Sequence, residues 1–313
     1  MVHGAEKLII DAPAKLNLFL EINGKRADGY HLLRSIVAPI SLCDTLELRR
    51  APSGITTRVI PAGLPDGNDE AMVSSDHNLV TRAALLLREV TGYRGGAMIR
   101  ITKRIPIGGG LGGGSADAAA TLVGLNRLWA TGLGASELAA LGARLGSDIP
   151  VLVHGRLAVM TGVGERIHPL PGVTARWWVV VVNPGFPVPT RDIYLRYDKS
   201  VLTSHAKKYK YIVSALQKDD VERASAGLFN ALEPTVFTKY PLLAVIAAQL
   251  KTAGAQGVLL AGSGASIFAV ARDQGYARAL DRRIRRVMGV RAWSRVARLL
   301  PDGVIGSTRP FGG

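Results

Sequence analysis

Between residues 7 and 22 apolar positions are interleaved with polar ones, first Lys7, Leu8, Ile9 and Ile10, then Lys15, Leu16, Asn17, Leu18, Phe19 and Leu20, around Pro13. That pattern predicts two short strands broken at Ala12-Pro13. Ala38 to Arg49 predicts another strand, with Leu46 and Leu48 on one face and Glu47 and Arg49 on the other. The stretch from Ala51 to Ser75 is rich in Pro, Gly, Ser and Asp, which predicts strand ends and loop. From Asn78 to Val90 the period changes. Leu79, Ala83, Leu86, Leu87 and Val90 recur at helical spacing, with Asp76 as the expected cap.

Ala97 to Ile107 predicts a strand, and Gly108 to Ser115, with six glycines in eight residues, predicts an irregular loop. Ala116 to Trp129 then places Ala118, Leu122, Leu125 and Trp129 on one face of a buried helix, and a second helix is expected over Ser136 to Leu145. Trp177 to Asn183 reads as a buried strand, Lys207 to Leu250 as mostly helical, and Gly257 to Ala271 as strand, glycine turn, strand. This order of elements implies an α+β fold without internal repeats. We expect two domains, 1–165 and 166–313.

Composition narrows the class. The 313 residues are 48% hydrophobic with mean hydropathy +0.19, which excludes a disordered chain and a small stapled scaffold. No apolar run approaches the ~18 residues of a membrane span. Residues 1–11 lack an apolar core leading to a cleavage site, so a cytoplasmic protein is expected. Cys43 is alone, which rules out an internal disulfide and a cysteine zinc cluster; it is expected to be a small buried hydrophobe.

The net charge is +15. Nine arginines fall between Arg272 and Arg298 against Asp273 and Asp281, and Ala277 to Val287 predicts a helix with Ala279, Ile284 and Val287 inward. A solvated helix face accounts for this charge. Nucleic-acid binding is disfavoured, because no aromatic residues interleave with the arginines to stack on bases. Such a field would also steer anionic substrates.

The strongest local signal is Pro106-Ile-Gly-Gly-Gly-Leu-Gly-Gly-Gly-Ser115 between a strand and a helix. Glycines let backbone N–H groups converge on an anion, and the helix that follows points its positive end there. The loop should hold phosphates. It has no Lys before Ser115, so it is not a Walker A loop; Gly108, Gly110 and Gly113 fit G-x-G-x-x-G, but no strand ending in an acid follows as a dinucleotide fold needs. Three further places carry candidate chemistry: Lys15 and Asn17 on one strand face, Tyr30 and His31 after the turn Arg26 to Gly29, and Asp148 in Gly146-Ser-Asp-Ile-Pro150.

Together with Leu260-Ala-Gly-Ser-Gly264, these segments resemble the GHMP kinases from about Ala12 to Val270. Pro13-Ala-Lys-Leu-Asn-Leu and Asp28-Gly-Tyr-His31 are most similar to the members that phosphorylate the 2-hydroxyl of a cytidine-diphosphate-linked methylerythritol, in the non-mevalonate isoprenoid route. The resemblance implies a two-domain fold with ATP and a small-molecule substrate in the inter-domain cleft, as a monomer or homodimer. It implies that Asp148 accepts the hydroxyl proton, that Lys15 pairs with that carboxylate and offsets transition-state charge, and that Asn17 orients the substrate. Pro106, Gly108, Gly109, Gly110, Leu111, Gly112, Gly113, Gly114 and Ser115 would cradle the phosphates, with Ser115 near Mg²⁺ and with Asn78 and Lys103 near the adenine. Tyr30 and Tyr194 would stack on cytosine while His31 reads its edge; Thr190 would line that pocket, and Gly262 and Ser263 would close against the phosphates.

The subfamily commonly has Ser-Asn where this chain has Ala116-Asp117. A carboxylate there would repel a triphosphate unless Mg²⁺ or Lys103 intervenes, so Asp117 is expected to face away from the phosphates or to contact the cation. Two other functions remain open from residues alone: a GHMP kinase for a smaller alcohol of the homoserine or mevalonate type, and a non-catalytic, basic nucleic-acid-binding protein.

Overall fold

The computed structural model describes residues 7–66, 78–197, 205–289 and 293–303. Strand β1 (Lys7–Lys25) pairs along its length with β2 (His31–Ala51). Pro13 does not break β1, because the register shifts between Pro13 and Lys15 and a bulge accommodates a residue that lacks a ladder N–H. β3 (Ile55–Pro61) lies in the stretch expected to be loop, parallel to β4 (Gly96–Lys103) at the edge of the sheet. Flanking Pro and Gly residues masked its short alternation. β4 stops at Lys103 rather than Ile107, since the Asp44 carboxylate takes the N–H groups of Arg104 and Ile105 that a longer ladder would use.

Helix α1 (Leu79–Thr91) is capped by Asn78, whose Oδ1 accepts from the Val80 N–H at 2.9 Å; Asp76, the expected cap, lies outside the described residues. α2 (Gly113–Leu128) begins inside the glycine run, and α3 (Ala135–Ala143) and α4 (Ile149–His154) follow. The hairpin β5 (Ala158–Gly162) and β6 (Arg166–Pro169) joins the first sheet through β2. The domain division expected between 165 and 166 falls in the turn of that hairpin. We propose that the division be set after Pro169, where it no longer separates the paired strands β5 and β6.

The second half contributes β7 (Trp178–Asn183), α5 (Thr190–Arg196), α6 (Ala206–Lys218), α7 (Val221–Gly227), β8 (Phe229–Asn230), α8 (Glu233–Lys239), α9 (Pro241–Thr252), β9 (Gly257–Leu260), β10 (Ile267–Ala271), α10 (Gln274–Met288) and β11 (Trp293–Arg298). The first sheet runs β3-β4-β2-β1-β8, and the second runs β11-β7-β10-β9. Alternation along β7 serves two cores: Val179 and Val181 pack with Leu16, Leu18, Ile36 and Phe268, while Val180 and Val182 belong to the core shared with the helices. On α10 the inward residues are Ala277, Leu280 and Ile284, at i, i+3 and i+7, and not Ala279 and Val287; Val287 is exposed. Its outward face carries Arg278, Arg282 and Arg286 into solvent, and Arg291 lies outside the described residues. Cys43 is half-buried. No helix among the described residues is long and apolar enough to cross a membrane.

Candidate active site

A cleft of about 1400 Å³ opens where the first sheet, the glycine loop, the start of α4 and the turn between β9 and β10 meet. Single small-molecule sites commonly occupy ~300–1000 Å³, so this one has room for two substrates. Of the expected site residues all but Leu111 line it; Leu111 is buried beneath.

Lys15 sits at the bulge of β1, buried, with its N–H donating to the Leu111 carbonyl at 2.9 Å. Its Nζ donates to Asn17 Oδ1 at 2.7 Å and stands 3.4 Å from Asp148 Oδ2. Asn17 is fixed in turn: its Nδ2 donates to Ser35 Oγ at 2.8 Å, and that hydroxyl donates to the Phe19 carbonyl at 2.7 Å. Asp148 is the residue before α4 and makes no capping bond with its side chain, which leaves the carboxylate directed at Lys15 and part-exposed to the cleft. An ammonium, an amide and a carboxylate therefore converge.

The glycine loop is held from both halves of the chain. The Gly108 carbonyl accepts from Val188 N–H at 3.2 Å, and the Gly109 carbonyl from Ser266 N–H at 3.0 Å. Gly110 has φ +75°, and a Cβ there would overlap the Ala261 carbonyl oxygen. Gly112, also at positive φ, precedes α2, which has no side-chain cap at its N-terminus. Gly113, Gly114 and Ser115, the first residues of that helix, line the cleft, and the free amides of a helix N-terminus suit an anion.

Lys103 is buried between Asp44 and Asp117, its Nζ donating to both carboxylates. The ammonium is thus engaged by two carboxylates, and it is Lys103 that meets Asp117. Burial pushes the Asp117 carboxyl up to about 8 against the pull of Lys103, and Asp44 adds to the rise. Lys103 itself is raised: desolvation opposes this, but the two carboxylates outweigh it. Asp117 Oδ1 has no hydrogen-bond partner among the described residues.

At the other end, the turn Arg26 to Tyr30 closes the β1–β2 hairpin, with Gly29 at φ +90° and the Tyr30 N–H on Asp28 Oδ1 at 3.3 Å. That leaves the Tyr30 ring 65% exposed at the mouth of the cleft. Tyr194 lies against His31, ring centroids 5.3 Å apart; Tyr197 meets the same imidazole edge-on at 6.0 Å. Burial and, secondly, the Asp148 carboxylate push the Tyr194 phenol above its ordinary range. The aromatic end and the carboxylate end of the cleft are therefore neighbours. Thr190 and Ser263 share a hydrogen bond of 2.8 Å between hydroxyls, and the Gly262 carbonyl accepts from Asn230 Nδ2 at 2.7 Å.

The family models for the GHMP kinases N terminal domain and the GHMP kinases C terminal match residues 78–156 and 212–289. A 4-diphosphocytidyl-2-C-methyl-D-erythritol kinase of Symbiobacterium thermophilum is 39% identical over 276 residues, 88% of this chain and 95% of that one. The enzyme of that name from Pelotomaculum thermopropionicum is 43% identical over 279 residues, 88% and 93% of the two chains. This chain belongs to the 4-diphosphocytidyl-2-C-methyl-D-erythritol kinases, within the GHMP kinases. A crystal structure of 4-(cytidine 5'-diphospho)-2C-methyl-D-erythritol kinase matches with TM-score 0.76 at 34% identity, covering 93% of this chain and 99% of that one. Homoserine kinase from Cytophaga hutchinsonii, at 20% identity and TM-score 0.76, shares the fold.

Sequence reasoning missed several residues that stand behind the lining of this kinase cleft. Ser35 and Asn230 act only through contacts distant in sequence, and Asp44 appeared as an ordinary polar position in a strand. The one readable clue was Asp44 in an otherwise apolar register, since a buried carboxylate needs a cationic partner.

Proposed function

We propose that this chain transfers the terminal phosphoryl group of ATP to the 2-hydroxyl of 4-diphosphocytidyl-2-C-methyl-D-erythritol. The observation that carries the reading is the convergence of Lys15, Asn17 and Asp148 beside the glycine loop. Phosphoryl transfer needs positioning and charge stabilisation more than covalent chemistry, and this arrangement supplies both. Asp148 accepts the hydroxyl proton as the oxygen attacks, Lys15 offsets the charge on the transferring group, and Asn17, itself fixed by Ser35, orients the alcohol. The amides of Gly108 to Ser115 bind the phosphates. Asn78 at the start of α1, with Leu79, Val59 and Ile101, forms the wall against which adenine lies.

The cytosine lies at the aromatic end, against the exposed Tyr30 ring and the Tyr194 wall, with His31 at its edge; Thr190 and Ser263 close that side. Base-on-ring stacking contributes about 1–3 kcal/mol.

Mg²⁺ belongs to the same proposal. Among the described residues no group of three or more His, Cys, Asp or Glu stands together as a metal cage. A lone Ser115 hydroxyl beside a phosphate cradle fits a cation that arrives on the nucleotide and keeps phosphate oxygens and waters as its other ligands. Ser115 would hold it, and when bound it neutralises charge on the phosphates.

The test is ADP release in ATP and Mg²⁺ with 4-diphosphocytidyl-2-C-methyl-D-erythritol, mevalonate, homoserine and galactose in parallel. Turnover with the cytidine compound alone is expected; turnover with another alcohol instead would overturn the substrate, and no turnover at all would overturn the activity.

A further inference from the structure

Gly108 to Gly110 carry no side chain with which to set their own position, so that position is imposed from outside. Two consecutive carbonyls are held by the second half of the chain, Gly108 by the Val188 N–H at 3.2 Å and Gly109 by the Ser266 N–H at 3.0 Å. Both donors lead back to one buried side chain. Asn183 closes β7 and uses both ends of its amide: Nδ2 donates to Ser266 Oγ at 2.9 Å, and Oδ1 accepts from the Gly185 N–H at 2.8 Å. Neither Asn183 nor Ser266 lines the cleft. We propose that Asn183 is a positioning residue for phosphate binding, setting the glycine loop through Ser266 on one arm and through Gly185 to Val188 on the other. This role rests on the reading that the loop holds the phosphates of ATP.

Each arm is short and stiff. Ser266 is buried just before β10, and its hydroxyl and the Asn183 amide lie against Gly109, where a Cβ would stand 2.8 Å from Ser266 Oγ and 2.9 Å from Asn183 Nδ2. On the other arm Pro184, Pro187 and Pro189 fix φ on either side of Gly185 and Val188. Pro187 packs so closely on Gly108 that a Cβ there would overlap it. What the arms control is the direction of two amides. A peptide unit is planar and trans, so holding the Gly108 and Gly109 carbonyls on Val188 and Ser266 turns the N–H groups of Gly109 and Gly110 the opposite way. The Gly110 N–H has no acceptor among the described residues, and Gly110 lines the cleft. Rotating either peptide would withdraw a donor from an anion and leave the wall of Val59, Leu79 and Ile101, which belongs to the first half of the chain, in place.

The test is calorimetric titration of the full chain with ADP and with adenosine. Asn183→Ala is expected to weaken ADP about tenfold, the scale of one charge-assisted hydrogen bond, and to leave adenosine unchanged. Ser266→Ala keeps the backbone N–H and loses only the hydroxyl, so a smaller loss of about threefold is expected, again confined to ADP; this variant gives the answer should Asn183→Ala fail to fold. A merely structural role would weaken both ligands alike. The positioning role is overturned by parental ADP affinity in either variant, or by an equal loss for ADP and adenosine. A parent chain that binds ADP no more tightly than adenosine overturns the phosphate reading itself and this role with it, whereas a parent that discriminates and variants that match it overturn the role alone.

Discussion

Lys15 and Asp148 meet across the cleft at 3.4 Å between Nζ and Oδ2, one from the bulge of a strand and the other from the residue that opens a short helix. Replacing Asp148 by Asn keeps the shape and removes the proton acceptor. We predict a fall in kcat of about 10²–10⁴-fold with little change in the KM for ATP; steady-state kinetics checks it, and an unchanged kcat would exclude Asp148 as base.

Lys103 holds two buried carboxylates, Asp44 and Asp117, through its ammonium. Lys103→Met leaves Asp44 and Asp117 facing each other without the ammonium between them, and losing one partner of a buried ion pair costs about 3–5 kcal/mol. Urea unfolding at neutral pH should show that loss, partly recovered in Lys103→Met, Asp117→Asn because one of the two buried carboxylates is gone.

Gly110 sets the approach of the loop to the β9–β10 turn. In Gly110→Ala a side chain would have to occupy both positive φ and the place of the Ala261 carbonyl. A destabilisation of at least about 2 kcal/mol is expected, read as a lower unfolding midpoint, while Gly132→Ala, also at positive φ but with open space around its Cβ, should cost less.

Glu233 supplies the prediction on pH. Burial raises its carboxyl above the ordinary 4.5, though the Leu260 N–H donating to Oε2 at 2.9 Å pulls the other way. Because the folded value exceeds the unfolded one, the contribution is fully present below the unfolded value and is lost as pH rises through the folded value. Glu233→Gln keeps the acceptor and removes the charge. Its stability relative to the parent should therefore improve from about pH 4.5 upward and level off above the folded value; a difference that is flat with pH would refute this.

Tyr30 tests the base subsite. Tyr30→Ala removes one exposed ring and should raise the KM for the cytidine substrate about 5- to 100-fold, following the stacking contribution, with kcat largely kept. Tyr30→Phe should restore it, since stacking requires the ring and not the hydroxyl.

Much of the fold was legible because period is local. The helix after Asn78, the alternation around Leu46 and Leu48 and the apolar strand at Trp177 follow from residues a turn or a pleat apart. β3 was not legible, since its seven residues follow Pro52 and Gly54, end in Pro61 and are followed by Gly63, and only pairing with β4 makes them a strand. The inward phase of α10 was misplaced for a related reason. Ala277, Leu280 and Ile284 compete with Ala279 and Val287 for the same core, and only packing against β7 and β10 selects between them.

By itself the sequence pointed to a phosphate cradle, since six glycines at the entry to a helix leave few other uses for so much backbone freedom, and it set the residue types that could do chemistry. The tertiary structure decided their partners. Lys15 meets Asp148 while Lys103 is taken by Asp44 and Asp117, and Tyr194 packs against His31. Those choices depend on distances between strands and helices far apart in the chain, where burial and charge pairing act and local pattern carries no information.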